Sequence, residues 1–151
     1  MVHVVSGDNV VEITGGTTTI TTSGNCVYDD DAGEYSSAAC IKCDLDFTMS
    51  GGTLTMTSSG DGGKGINCSA KVLFSGGTLS AVTTGDNENG KPKAIKADSD
   101  IIVSGGSFTA KVDKSWACDN GSDSDEPKDH LTVVGTPKTS SITKKSVMIT
   151  Y

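Results

Sequence analysis

The sequence predicts an all-β protein, a β-solenoid of about five stacked coils. Three observations carry that expectation. Gly, Ser and Thr supply 57 of the 151 residues while Leu occurs only five times, too little apolar bulk for a broad helical core. A Gly-Gly doublet preceded by Ser or Thr recurs at Thr14-Gly15-Gly16, Ser50-Gly51-Gly52, Ser75-Gly76-Gly77 and Ser104-Gly105-Gly106. Short alternating segments flank every copy. No run approaches the roughly 18 apolar residues of a membrane span, so no membrane insertion is expected. The net charge is −7 and Arg is absent. Both count against nucleic acid, whose phosphates call for a basic face and guanidinium forks.

The elements follow in chain order. Successive doublets are 36, 25 and 29 residues apart. Val11-Glu12-Ile13, Phe47-Thr48-Met49, Val72-Leu73-Phe74 and Ile101-Ile102-Val103 precede them. Thr17 to Thr21, Thr53 to Thr57, Thr78 to Val82 and Ser107 to Lys111 follow them, again with period two. A further block recurs as Ile41-Lys42-Cys43-Asp44, Ile66-Asn67-Cys68-Ser69, Ile95-Lys96-Ala97-Asp98 and Trp116-Ala117-Cys118-Asp119. Three period-two segments per repeat, separated by Gly or Asp turns, make one solenoid coil. A single coil cannot bury its inner face, so coils stack. The expected inner columns are Val11/Phe47/Val72/Ile101, Ile13/Met49/Phe74/Val103, Ile20/Met56/Ala81/Ala110 and Ile41/Ile66/Ile95/Trp116, with Trp116 as an end plug. The chain reads as one domain over 1–151. A first coil takes 1–24, an acidic excursion 25–37, regular coils 38–119, and a last coil with a C-terminal strand or cap 120–151. Gly135 and Pro137 mark a change of direction before the final strand.

Gly63-Lys64-Gly65-Ile66-Asn67-Cys68, Lys93-Ala94-Ile95-Lys96-Ala97-Asp98 and Ile102-Val103-Ser104-Gly105-Gly106-Ser107 resemble the repeats of bacterial carbohydrate-binding domains of the right-handed parallel β-helix type. The resemblance covers about 38–119 and is specific for coil architecture. It implies a right-handed, single-stranded parallel β-helix with a fold similar to that of pectate lyases. It also implies a secreted or cell-surface setting, polysaccharide as partner and calcium as cofactor. Relatives of that type carry more coils, so the chain resembles a short version or a fragment.

Candidate metal ligands come from the acidic turns. Asp61 and Asp86 each lie nine residues beyond a doublet, as does Asn25, and in register they stack at one corner. Like charges one rung apart repel unless a cation or a Lys sits between them; calcium takes six to eight oxygens, and Lys64 is the rival neutraliser. Asp alone also suits a turn. The excursion adds Asp29, Asp30 and Asp31, whose spacing is not that of an EF-hand. Asp44, Asp98 and Asp119 form a second expected column. For carbohydrate, Tyr28 and Tyr35 flank the Asp cluster, Lys42, Asn67 and Lys96 form a column on one flat face suited to an acidic sugar, and Lys64 joins the candidates. An ordinary solvated face is the plainer alternative for that column.

Cys43, Cys68 and Cys118 are expected inward in one column, as small buried hydrophobes. A Cys43–Cys68 disulfide between neighbouring coils is the alternative. Cys40 is expected outward, with Cys26 its nearest candidate partner. A zinc site lacks paired Cys-x-x-Cys spacing. No enzyme is expected: His3 and His130 sit near segment ends, no Gly-x-Ser-x-Gly elbow occurs, and lyase chemistry wants a strong base where Arg is absent. Outward rows of Thr resemble the ice-binding face of some antifreeze proteins, but β-branched Thr is common in any strand. No signal peptide opens the chain. Open solenoid ends suggest the second reading, a structural module stacking head to tail with copies of itself. The sequence therefore favours a non-catalytic, extracellular polysaccharide-binding module, with self-assembly, lyase and ice binding behind it.

Overall fold

The structure, a computed structural model, describes residues 2–5 and 10–151. Strand β1 (Val2–Val5) leads into a first rung of β2 (Val10–Ile13), β3 (Thr17–Thr22), a hairpin of β4 (Val27–Asp29) and β5 (Glu34–Ser36), then β6 (Ala39–Cys43). The second rung is β7 (Phe47–Met49), β8 (Thr53–Ser58) and β9 (Lys64–Cys68). The third is β10 (Val72–Phe74), β11 (Thr78–Thr83) and β12 (Lys93–Ala97). The fourth is β13 (Ile101–Val103), β14 (Ser107–Val112) and β15 (Trp116–Asp119). Parallel ladders join corresponding strands of successive rungs into three sheets, β2-β7-β10-β13, β3-β8-β11-β14 and β6-β9-β12-β15. The molecule is an all-β solenoid, and among the described residues it has no α-helix.

Three turns carry the chain from β2 to β13, so the solenoid has about three turns rather than the five coils expected. The last expected coil does not close. After β15 the chain forms a 3₁₀ turn, Pro127–His130, and adds only β16 (Thr132–Val133) beside β13. Gly135 then takes φ +79° and Pro137 follows, a pairing that turns a chain sharply. Strands β17 (Thr139–Ile142) and β18 (Ser146–Thr150) return antiparallel, with β18 laid along β14. At the opposite end β1 runs antiparallel to β2.

Three inner columns fall as the alternation predicts. Val11, Phe47, Val72 and Ile101 are in register, as are Ile13, Met49, Phe74 and Val103, and Ile20, Met56, Ala81 and Ala110. Phe47, Phe74, Phe108, Met49, Leu54 and Ile66 are fully buried, and each such side chain contributes about 1.5–3 kcal/mol relative to exposure. The corners explain the glycine excess. Gly52 and Gly77 hold φ near +85°, where a side chain is strained, and a Cβ on either would press on the doublet of the rung before. At another corner a Cβ on Gly85 would lie 1.8 Å from the Gly60 carbonyl oxygen. Rungs approach there more closely than any side chain allows.

The third sheet departs from the expected register. Cys118, not Trp116, continues the column Ile41, Ile66, Ile95, and Trp116 pairs with Lys93. Asp119 stands beside Lys96, so it does not join Asp44 and Asp98. Cys118 likewise leaves the Cys43/Cys68/Ala97 column. Alternation also breaks once in each rung, which decides the side to which Trp116 turns. Gly65 and Ile66, Ala94 and Ile95, and Ala117 and Cys118 are consecutive buried pairs, and the ladders pair no residue at the first of each. Cys40 occupies the same position one rung earlier. Expected outward, it packs against the core with Sγ 3.5 Å from the Thr57 carbonyl. All five cysteines are free thiols, and Cys26 is buried in the corner beside Gly62 and Gly90. Cys43 and Cys68 are register partners, and their mutual interaction lowers the Cys68 thiol and raises the Cys43 thiol, while Cys68 Sγ donates to the Leu45 and Lys71 carbonyls.

Candidate functional site

The break in alternation decides what the third sheet shows to the outside. Counting by two from Ile66 turns Lys64 inward. With Gly65 and Ile66 both facing the core, Lys64 and Asn67 both face out. The outward face therefore carries two columns: Ala39, Lys64, Lys93 and Trp116, and Lys42, Asn67, Lys96 and Asp119. The hairpin leads directly into β6 and stands over the first rungs of this face. Between hairpin and sheet lies a groove of about 480 Å³, to which Tyr35, Lys42, Lys64, Asn67, Lys96 and Asp98 contribute.

Four of the five expected carbohydrate residues thus come together: Tyr35, Lys42, Lys64 and Lys96. The fifth, Tyr28, packs edge-on against Tyr35, its register partner, with ring centroids 5.2 Å apart. Tyr28 borders a neighbouring depression of about 460 Å³ with Asp30 and Asp31. Both rings are about half exposed. The Tyr35 hydroxyl reaches Asn89 Oδ1 at 3.5 Å, tying the hairpin to the 86–92 segment of the third rung.

The lysines differ in their surroundings. Lys42 is exposed. Lys96 pairs with Asp98 through a charge-assisted hydrogen bond. Lys64 is buried; its ammonium donates to Ser37 Oγ and to the Gly62 carbonyl at 3.3 Å. Burial first, and the Lys96 charge second, hold the Lys64 amine down at about 8. Sequence reasoning missed Lys93, whose charge pairs with Asp119 on the next rung. Burial, followed by the charges of Lys64, Lys91 and Lys96, pushes the Lys93 amine down, while the Asp119 carboxylate favours its charged form. It also missed His130, which is buried with Nδ1 3.6 Å from Asp119 Oδ1. Nothing in the repeats marks these partners, because Asp119 and His130 meet the face only after the register break. The side chain of His3 lies outside the described residues.

The expected metal ligands are divided between two places. Asp29 Oδ1 accepts the backbone N–H groups of Asp31 and Ala32, a turn-capping role, while Asp30 and Asp31 are exposed at the hairpin tip. Asp61 and Asp86 occupy successive rungs at the corner, where Gly62 N–H donates to the Asp86 carbonyl at 2.9 Å. Asn25 Oδ1 accepts from Asp61 N–H at 2.9 Å, and Asp61 Oδ2 accepts from Asn89 Nδ2 at 3.1 Å. Asp61 Oδ1 is buried without a hydrogen-bond partner. That oxygen suits a cation; the remaining donors of the corner are largely engaged. Among the described residues no three His, Cys, Asp or Glu side chains converge on one point.

A protein-family profile described as "Carbohydrate-binding domain-containing protein" matches residues 2–90, more than half of the chain. No curated protein and no solved structure matches it. The chain belongs to that carbohydrate-binding family.

Proposed function

Proceeding from that membership, we propose that the chain is a non-catalytic polysaccharide-binding module that holds its glycan in the groove between the β4–β5 hairpin and the β6-β9-β12 face. The observation that carries this reading is the convergence of Tyr35, Lys42, Lys64 and Lys96 on one groove. An aromatic ring beside ammonium and amide donors is what a sugar requires, an apolar face and directed hydrogen bonds. Lys42, the exposed ammonium of the groove, is the group that would meet an acidic sugar such as a uronate, while Asp29, Glu34 and Asp98 line the same groove and balance its three lysines. A secreted or cell-surface location and a bacterial source accord with such a partner. Right-handed winding is the hand that parallel strand crossovers adopt almost without exception.

Calcium, if bound, would use the free Oδ1 of Asp61 with Asp86 beside it, and would neutralise the stacked carboxylates. That role is structural, at the corner, and leaves the lysine groove to the sugar. Affinity electrophoresis on polygalacturonate and on a neutral β-glucan, each with and without EDTA, tests the reading. Retardation by polygalacturonate that Tyr35→Ala and Lys42→Ala weaken is expected; EDTA sensitivity adds the calcium ion. Free migration in both gels contradicts it. The runner-up, end-to-end self-assembly, would set the edges of β3 and β6 at one end against the edge of β15 at the other, beyond which no further strand is paired among the described residues. Light scattering that grows with concentration would favour it.

A further inference from the structure

Trp116 is the chain's only Trp, and the register break turns it out of the core. It stands in the same outward column as Lys64, two rungs further along, about 10 Å away at ~4.8 Å per rung. One face of the indole is backed by the His130 ring, with centroids 3.9 Å apart and planes at 23°. His130 is 2% exposed and anchored in turn, its Nε2 2.8 Å from the Ser124 carbonyl. Such backing makes the indole a fixed plate. The Lys144 ammonium lies 4.8 Å from the ring centroid. With His130 on one face, that places the ammonium over the other. Lys144 forms no ion pair among the described residues. Asn87, Lys91 and Ser115 complete a depression of about 220 Å³ around Trp116 and Lys144.

We propose that this depression is a second sugar subsite, and that a glycan chain runs along the stacking axis from the Tyr35 groove to Trp116. The proposal rests on the polysaccharide-binding reading and extends it. All of its lining except Asn87 lies beyond the residues that the family profile matches. A pyranose presents a face of C–H groups with slight positive charge, which suits the negative face of an indole. The sugar takes the place of the Lys144 ammonium over the ring. Lys144 swings aside, and with Lys91 and Asn87 donates to hydroxyl or carboxylate oxygens. Exchanging a partly solvated cation–π contact for ring stacking and new hydrogen bonds is the source of the affinity. The segment 86–92 links the two subsites: Asn89 meets Tyr35 at one end, while Asn87 and Lys91 reach Trp116 at the other. Between them Lys93 is committed to Asp119, so the ligand crosses that rung without calling on a free charge.

A single Trp makes the test direct. Oligogalacturonates and cello-oligosaccharides of graded length are titrated into the protein, following both intrinsic fluorescence and heat. The expected result is that short oligomers release heat without changing the Trp emission, whereas longer ones also shift it. Trp116→Ala should weaken the longer oligomers about tenfold, the scale of one lost aromatic contact, and leave the shortest unchanged. Trp116→Phe keeps a ring on His130 and should fall between; equal melting temperatures show that both variants fold. Tyr35→Ala should weaken all lengths. Long oligomers that bind without altering emission, and with equal affinity for Trp116→Ala, overturn the second subsite alone. Absence of heat with every oligomer of both series overturns the polysaccharide reading and the subsite with it.

Discussion

The sheet of β3, β8, β11 and β14 and the sheet of β6, β9, β12 and β15 belong to the same rungs, yet they differ in one respect. The first keeps strict alternation through six residues per rung. Its outward columns are Thr17, Thr53, Thr78 and Ser107, and Thr19, Thr55, Ser80 and Thr109. The second breaks alternation once per rung, and at that break Lys64, Lys93 and Trp116 gain the outside. Regular pleating yields a uniform surface with little to recognise. The irregular sheet gathers charge, amide and aromatic groups beside a hairpin. In this solenoid the groove sits where the repeat is least regular.

The largest effect should come from forcing a charge inward on the regular sheet. Met56 is fully buried and Thr55, its neighbour, faces out. Met56→Lys should cost on the order of 3–5 kcal/mol or prevent folding, and Thr55→Lys should stay within about 0.5 kcal/mol, read by urea unfolding. Equal losses would break the comparison. Next comes the corner at the end of that sheet. Gly85→Ala sets a Cβ against the Gly60 carbonyl, backbone against backbone with no flexible side chain to yield. A loss on the order of 3 kcal/mol is expected in the same assay.

How much of this was legible depends on the rule each region follows. The columns of the two regular sheets could be read from period two, because Val11, Phe47, Val72 and Ile101 obey it. The third sheet could not. Trp116-Ala117-Cys118-Asp119 looks like Ile41-Lys42-Cys43-Asp44, but the two blocks are offset by two residues in the ladder. A break of one residue per rung leaves no mark in composition, since Gly65 and Ala94 read equally well as small outward residues. The groove was legible in its residue types, Tyr35 and three lysines. Its walls, and the Lys93–Asp119–His130 cluster, were not, because they depend on which loops fold over the face.

A smaller effect separates the two faces in binding. Lys42→Ala with Lys96→Ala should weaken an acidic glycan at least about tenfold, as loss of two charged hydrogen-bond donors implies. Lysines placed on the Thr19 and Thr109 positions should leave glycan affinity unchanged in calorimetry. A further effect is a dependence on pH. The Lys64 amine titrates near 8 in the fold against 10.5 when free. The unfolded chain then holds more protons between those values, so wild-type stability should rise relative to Lys64→Met from pH 8 to 10.5 and run parallel to it below pH 8. Denaturant midpoints of the two proteins across that range check the sign. Parallel curves throughout would mean that Lys64 is solvated as an ordinary surface lysine.

The central claim is that the glycan lies on the irregular sheet, under the hairpin. Backbone amide shifts recorded by NMR during titration with an oligogalacturonate test it most directly. Changes grouped at Tyr35, Ser36, Lys42, Asn67 and Lys96, with the threonine columns silent, are expected. Changes grouped on Thr19, Thr55, Ser80 and Thr109, with the hairpin silent, would contradict it.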